Sequence, residues 1–133
     1  MSVSVKNLPI YRKSKEIVEI TQAIVETADQ HRDEYELVRL MLNNAYMMGA
    51  KIVGAEGGEQ YHIRMECAVQ VKVAACELLA QTSFCHSQGL IDDEYLAVLR
   101  NSIEEFRKLF VKWVKSFDRN QDTDDGWGLF VQE

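Results

Sequence analysis

The chain has 133 residues, with 47% apolar and 27% charged side chains and a formal net charge of −6. That length suits one domain able to bury roughly two thirds of its unfolded surface, a core that needs neither disulfides nor a metal. One proline and seven glycines argue against a loop-rich or β-rich fold, and the acidic balance opposes non-specific attraction to nucleic acid or an anionic membrane.

In chain order, a first helix is expected to begin at Pro9, whose fixed φ and missing amide suit a first-turn position, with Asn7 as the turn residue before it. Ile10, Ile17, Ile20, Ile24 and Ala28 keep to one of its faces. Asp33 with Glu36 three positions on has the spacing of a capping box and predicts the start of a second helix. The inner positions of that helix are Val38, Leu42, Ala45, Gly49 and Ile52, with Met41 and Met48 broadening the stripe. Gly49, lacking a side chain, lets a neighbour come close, and the run Glu56, Gly57, Gly58, Glu59 predicts a stop near Gly57 through a left-handed cap.

A third helix is expected from about Glu59 to Gln88, with Gly89 as its stop. Asp92 then reads as the N-cap of a fourth helix, with Ile91 stapled onto Leu96. The fourth helix carries the clearest signal in the chain. Leu96, Leu99, Ile103, Phe106, Phe110, Trp113 and Phe117 follow at alternating spacings of three and four, the seam of a helix packed along its whole length, here to about Asp118. Short connections between four helices require sequential neighbours to run antiparallel, so the expected fold is an all-α, up-down-up-down four-helix bundle. Residues 1–8 form a short lead, 9–118 the bundle and 119–133 an acidic and aromatic tail.

The third helix stands apart because Met65, Cys67, Ala68, Val69, Val71, Val73, Ala74, Ala75, Cys76, Leu78, Leu79 and Ala80 surround its axis at 100° per residue, leaving it apolar nearly all round. A bundle helix normally keeps one wet face, so the additional apolar side needs a cover, either the tail or another subunit. Self-association is the expected outcome.

The segment from Leu42 to Gly57, ending Ala50-Lys51-Ile52-Val53-Gly54-Ala55-Glu56-Gly57, resembles the Asn-Ile-Ala-Glu-Gly stretch of the 23S rRNA intervening-sequence family of four-helix-bundle proteins. Ala68 to Gln81, with Glu77, Leu78 and Leu79 at its centre, is similar to that family's third helix, and Gln88 to Arg100 to its following turn and helix. The resemblance covers about Ile10 to Phe117, with Ala55, Glu56 and Gly57 as its short motif. Relatives of that family include the accessory variability determinant proteins of diversity-generating retroelements, which form rings of five bundles and engage a reverse transcriptase and RNA. The resemblance implies a non-enzymatic homo-oligomer, a pentamer, with nucleic acid or a nucleic-acid enzyme as candidate partner. This chain departs from the retroelement proteins in being acidic, and it has Val53 and Gly54 where the family more often has a direct Ile-Ala pair.

Charge placement adds a reading independent of family. In an up-down-up-down bundle Arg12, Lys13, Lys15, Lys51, Arg64, Arg107, Lys108, Lys112, Lys115 and Arg119 gather at one pole, opposite Glu26, Asp29, Asp33, Glu34, Glu36, Asp92, Asp93 and Glu94. Of the cations, Arg12, Lys13, Lys15, Lys108, Lys112, Lys115 and Arg119 form the candidate surface for an anionic partner, with the last four on one stripe. The plain alternative is a solvated face whose cations favour the helix end, with Glu104 and Lys108 as an ordinary i,i+4 pair. The tail starts with Asp122, Asp124 and Asp125 and continues with Trp127, Leu129, Phe130 and Val131, so it can fold back over the basic pole and mask it, or dock on a neighbouring subunit. Candidate oligomer contacts are therefore Val69, Val73, Cys76, Ala80, Trp127 and Phe130.

Motifs for chemistry are weak. Glu59 and His62 have the Glu-x-x-His spacing of di-iron bundles, but no second pair accompanies them, and a site at Glu59, His62 and Glu66 is not expected. Cys67, Cys76 and Cys85 are nine apart, so they cannot converge from one helix and read as core thiols. Asp118, Asn120, Asp122 and Asp124 fail as a calcium loop, with Thr123 at the glycine position and Leu129 at the glutamate position. Ser83 and His86 lack a third partner, and Gly54, Gly57 and Gly58 have no phosphate-loop spacing. The expectation is no catalytic residues, no cofactor, no metal and no small-molecule substrate. No run of eighteen apolar residues marks a membrane span. An odd number of cysteines and the lack of a long apolar core in Met1 to Leu8 point to a reducing cytoplasm.

Overall fold

A computed structural model describes residues 4–129. Among these residues the secondary structure is entirely helical, in four long helices: α1 (Pro9–Thr27), α2 (Asp33–Gly57), α3 (Tyr61–Gln88) and α4 (Asp93–Lys115). Single 3-10 turns cover Val5–Asn7 and Arg119–Gln121. Helix α1 packs on α2 and α4, and α3 packs on the same two, so the four surround a common core. The α2–α3 contact is the most extensive of the four and the α3–α4 contact the least.

The core is the seam that the periodicity marks. Leu96, Leu99, Ile103, Phe106, Trp113 and Phe117 of the α4 segment are buried, with Phe110 half-buried at the edge. They meet Ile10, Ile17 and Ile24 of α1, Val38, Met41, Leu42, Ala45, Met48 and Ile52 of α2, and Val71 and Leu78 of α3. Ile20 is only half-buried, its place on the inner face being taken by Thr21 and Val25. The buried hydroxyls turn back on their own helices, Thr21 donating to the Ile17 carbonyl at 2.7 Å and Thr82 to Leu78 at 2.8 Å. Each thereby satisfies its donor locally and has none to offer a ligand. Gly49 sits where a Cβ would lie 3.1 Å from the Ser14 Oγ, so its bareness sets the close approach of α1 and α2.

The helix ends follow local chemistry. Pro9 opens α1. Gly89 takes φ 63°, and the Leu90 amide donates to the Cys85 carbonyl at 3.1 Å, closing α3 in a Schellman arrangement. Asp92 caps α4 by accepting from the Glu94 amide at 2.9 Å. Three ends differ from expectation. Asp33 is the first residue of α2 and not its cap, because Arg32 holds the extended N-cap position with no side-chain bond; the Asp33, Glu34 and Glu36 carboxylates still sit at the positive helix end. After Gly57 the chain leaves through Gly58 at φ −98°, an extended exit into α3 in place of a left-handed cap. Helix α4 also stops at Lys115, short of Asp118, and the Asp118 carboxylate instead accepts from the Asn120 amide to cap the following turn.

Candidate interaction surfaces

One end of the bundle gathers the start of α1, the end of α2, the start of α3 and the end of α4 around a cavity of about 430 Å³, lined by Ser4, Val5, Leu8, Glu56, Arg64, Trp113 and Ser116. Glu56 sits at its centre. Its Oε1 accepts from Arg64 Nη2 at 2.9 Å and from the Trp113 indole Nε1 at 2.7 Å. The guanidinium carbon of Arg64 lies 4.2 Å from the centroid of Phe117, whose ring meets Trp113 edge-on at 4.8 Å. Arg64 Nε is buried without a hydrogen-bond partner. Of the motif residues, Ala55 is core, Gly57 ends the helix, and Glu56 ties α2 to α3 and α4.

Among the described residues the acidic tail folds back onto the start of α3, at Gln60 and His62. Asp122 Oδ1 accepts from the His62 amide at 2.9 Å and lies 2.8 Å from His62 Nδ1. Gln60 donates to the Thr123 carbonyl at 3.0 Å, accepts from the Thr123 amide at 2.9 Å, and reaches Asp125 at 3.3 Å. Gln60 is the N-cap of α3 and makes no side-chain cap of its own. The orphan amide of the first turn is thus satisfied by a carboxylate from sixty residues away. Partial burial alone would raise the Asp122 pKa, but the His62 amide and ring outweigh it and hold the carboxyl below its usual range. With the folded value depressed, the contribution of this contact is complete at neutral pH and disappears as pH falls through the acid range. The Asp122 carboxyl signal, followed by NMR, is expected to titrate below the ordinary aspartate range. Release of the tail already near pH 6 would contradict this attachment.

The seven candidate cations are not brought together as one patch. Lys13 is largely covered and bridges Glu16, at 2.9 Å, and Glu105 of α4. Lys15 lies toward α2, beside Tyr46, Gly49 and Val53, with its ammonium 5.5 Å over the Tyr11 ring. Arg12 turns to the Lys6 carbonyl and the Asn7 side chain, both at 3.4 Å. Arg119 falls in the turn after α4, off the register of Lys108, Lys112 and Lys115. Those three lysines are exposed on the outer side of α4. Glu104 takes Arg107 as its partner in place of Lys108, and the Arg107 hydrogen bond, outweighing slight desolvation, lowers the Glu104 pKa.

Helix α3 has two apolar sides, as its composition predicts. Ala68, Val71, Ala74, Leu78 and Cys85 are buried. Val69, Val73, Cys76 and Ala80 are exposed, Val69 by 54% and Val73 by 49%. At 100° per residue these four form a stripe diametrically opposite the buried one. The core-thiol reading therefore holds for Cys85, while Cys67 is half-buried and Cys76 is exposed. Next to the stripe, the loose α3–α4 contact leaves an apolar groove of about 340 Å³. Trp127 is 83% exposed, and Phe130 lies outside the described residues.

Sequence reasoning missed the Glu56–Arg64–Trp113 cluster, the tail cap and the groove. The sole signal for the first was the acid in the Ala-Glu-Gly motif. Among the described residues no three His, Cys, Asp or Glu side chains gather as a metal site, and no helix is long and apolar enough to cross a membrane. Fold and surfaces together define a helical-bundle protein with exposed apolar faces. No family model matches the chain, and no curated protein shows significant similarity to it.

Proposed function

We propose that this chain is a non-catalytic interaction protein: an antiparallel, up-down-up-down bundle that assembles with copies of itself and recruits another protein or RNA. The observation that carries the reading is the exposed Val69, Val73, Cys76, Ala80 stripe on the back of α3. Large uncovered apolar patches are rare on monomers and mark contact surfaces. The antiparallel course is supported by the meeting of two helix starts and two helix ends around the Glu56 cavity. The resemblance to the 23S rRNA intervening-sequence family supports a pentameric ring. A cytoplasmic setting is part of the same proposal, supported by three cysteines in no disulfide.

Sedimentation velocity over a wide concentration range tests it. The expected species is larger than the 15.3 kDa protomer, and Val73→Asp is expected to shift it toward that protomer with helicity retained. A wild-type chain that stays at protomer mass throughout defeats the reading. A second reading, an accessory factor that binds nucleic acid, is favoured by the exposed Lys108, Lys112 and Lys115 on α4. Single-stranded RNA added to the same runs separates the two: co-sedimentation that collapses as salt rises belongs to the second.

A further inference from the structure

We propose that Trp127 and Leu129 of one copy seat in the α3–α4 groove of a second copy, an inference that rests on the self-association put forward above. The groove is walled by Ala75, Cys76 and Leu79 of α3 and by Phe106, Phe110 and Val111 of α4. It is apolar inside, and Lys72, Glu104 and Arg107 stand along it. The matching knob is at the tail. Trp127 is 83% and Leu129 71% exposed, in a segment that is nonetheless held in place. Gln60 and His62 grip Thr123, Asp125 and Asp122, while the Gly126 amide donates to Asp124 at 2.9 Å and the Trp127 amide to Asp125 at 3.1 Å. The tail thus presents its indole to solvent from a fixed base, which reduces the ordering cost of burying it in a partner.

Reach decides whose groove it fills. Along α3, Gln60 to Cys76 is sixteen residues, roughly 24 Å of helix rise. From Asp125, anchored at Gln60, the two residues to Trp127 span at most about 7 Å. A protomer cannot bring its own Trp127 to the middle of its own groove while the tail is attached, so a neighbour must supply it. Charge agrees. The knob follows Asp122, Asp124 and Asp125, whereas the groove has Lys72 on one wall and, beyond Val111, the Lys108, Lys112 and Lys115 face of α4.

Knob and groove occupy different surfaces of one chain, so each copy gives one knob and takes one, by reciprocal exchange in a two-fold dimer or head-to-tail in a ring. The outer stripe of α3, which adjoins Cys76, is then covered by the same neighbour.

A directed disulfide tests the seating. The Leu129→Cys, Cys76→Ser double variant, which retains Trp127, is mixed with wild-type chain under mild oxidation. The expected product is a covalent heterodimer that fails to form when the wild-type chain is replaced by Cys76→Ser. Trp127→Ala, an exposed position whose loss leaves the fold intact, is expected to weaken assembly roughly 30-fold, as for a buried aromatic anchor at an interface. If the wild-type chain assembles but no heterodimer forms, or Trp127→Ala assembles as tightly as before, the seating is wrong and self-association stands. An intramolecular disulfide in Leu129→Cys with Cys76 present assigns the groove to the protomer's own tail and also overturns the proposal. A wild-type protein that remains a protomer removes both readings.

Discussion

Phe106→Ala is expected to lower stability by about 4 kcal/mol. Phe106 is 1% exposed, the bulkiest side chain so fully covered, and stands between Leu99 and Trp113 in the α4 seam. Truncation loses the transfer free energy of the ring and the dispersion contacts around it, and the surrounding helices can close the void only partly. For a domain of this size the loss corresponds to roughly 10–15 °C in Tm, out of a total stability of about 5–15 kcal/mol. Phe106→Leu, which keeps most of the volume, is expected to cost about 1.5 kcal/mol. Because Phe106 also lines the α3–α4 groove, thermal unfolding should be followed on protein kept dilute, where assembly does not contribute. A fall in Tm of under about 4 °C for the alanine variant would mean that the α4 seam does not hold the core together.

That seam was legible because burial on a helix imposes a period, and a period is visible in one dimension. The same holds for Gly89 and Asp92, whose roles are set by neighbours within five residues. Gly57 misled because a glycine after a helix suits a left-handed cap without requiring one, and here the chain departs straight into α3. The doubly apolar α3 was legible in composition, yet which side would be buried depended on where α2 and α4 lie. The surfaces fared worse for one reason: their key pairings join residues far apart in sequence. Lys13 meets Glu105 across ninety-two residues, which removes it from the candidate cation surface. His62 meets Asp122 across sixty, turning an acidic tail read as a mask into a helix cap. No local rule assigns such partners, since any of the 21 acidic residues can serve a given cation until the fold chooses among them.

The Glu56 cluster is where that choice has the clearest energetic consequence. Glu56→Ala is expected to cost about 3 kcal/mol and roughly 10 °C in Tm. The Glu56 carboxylate receives both Arg64 and Trp113, and the Glu56 and Arg64 side chains are only about a fifth exposed, at 20% and 22%. Removing the acceptor strands a guanidinium whose Nε already lacks a partner, together with an indole N–H in a residue that is 7% exposed. A buried donor without an acceptor incurs its full desolvation penalty, whereas the ion pair itself contributes little beyond a neutral replacement. Glu56→Gln, which keeps an oxygen for Trp113, is therefore expected to recover more than half of the loss. The remaining fraction measures the charge–charge part of the Glu56–Arg64 pair, since the stacking of Arg64 on Phe117 at 4.2 Å persists in both variants. Equal destabilisation by alanine and glutamine would show that the charge, and not the accepted hydrogen bonds, joins α2 to α3 and α4. Thermal unfolding of the two variants beside Trp113→Phe, and of the Glu56→Ala, Trp113→Phe double variant, separates the indole hydrogen bond from the packing that the smaller ring gives up.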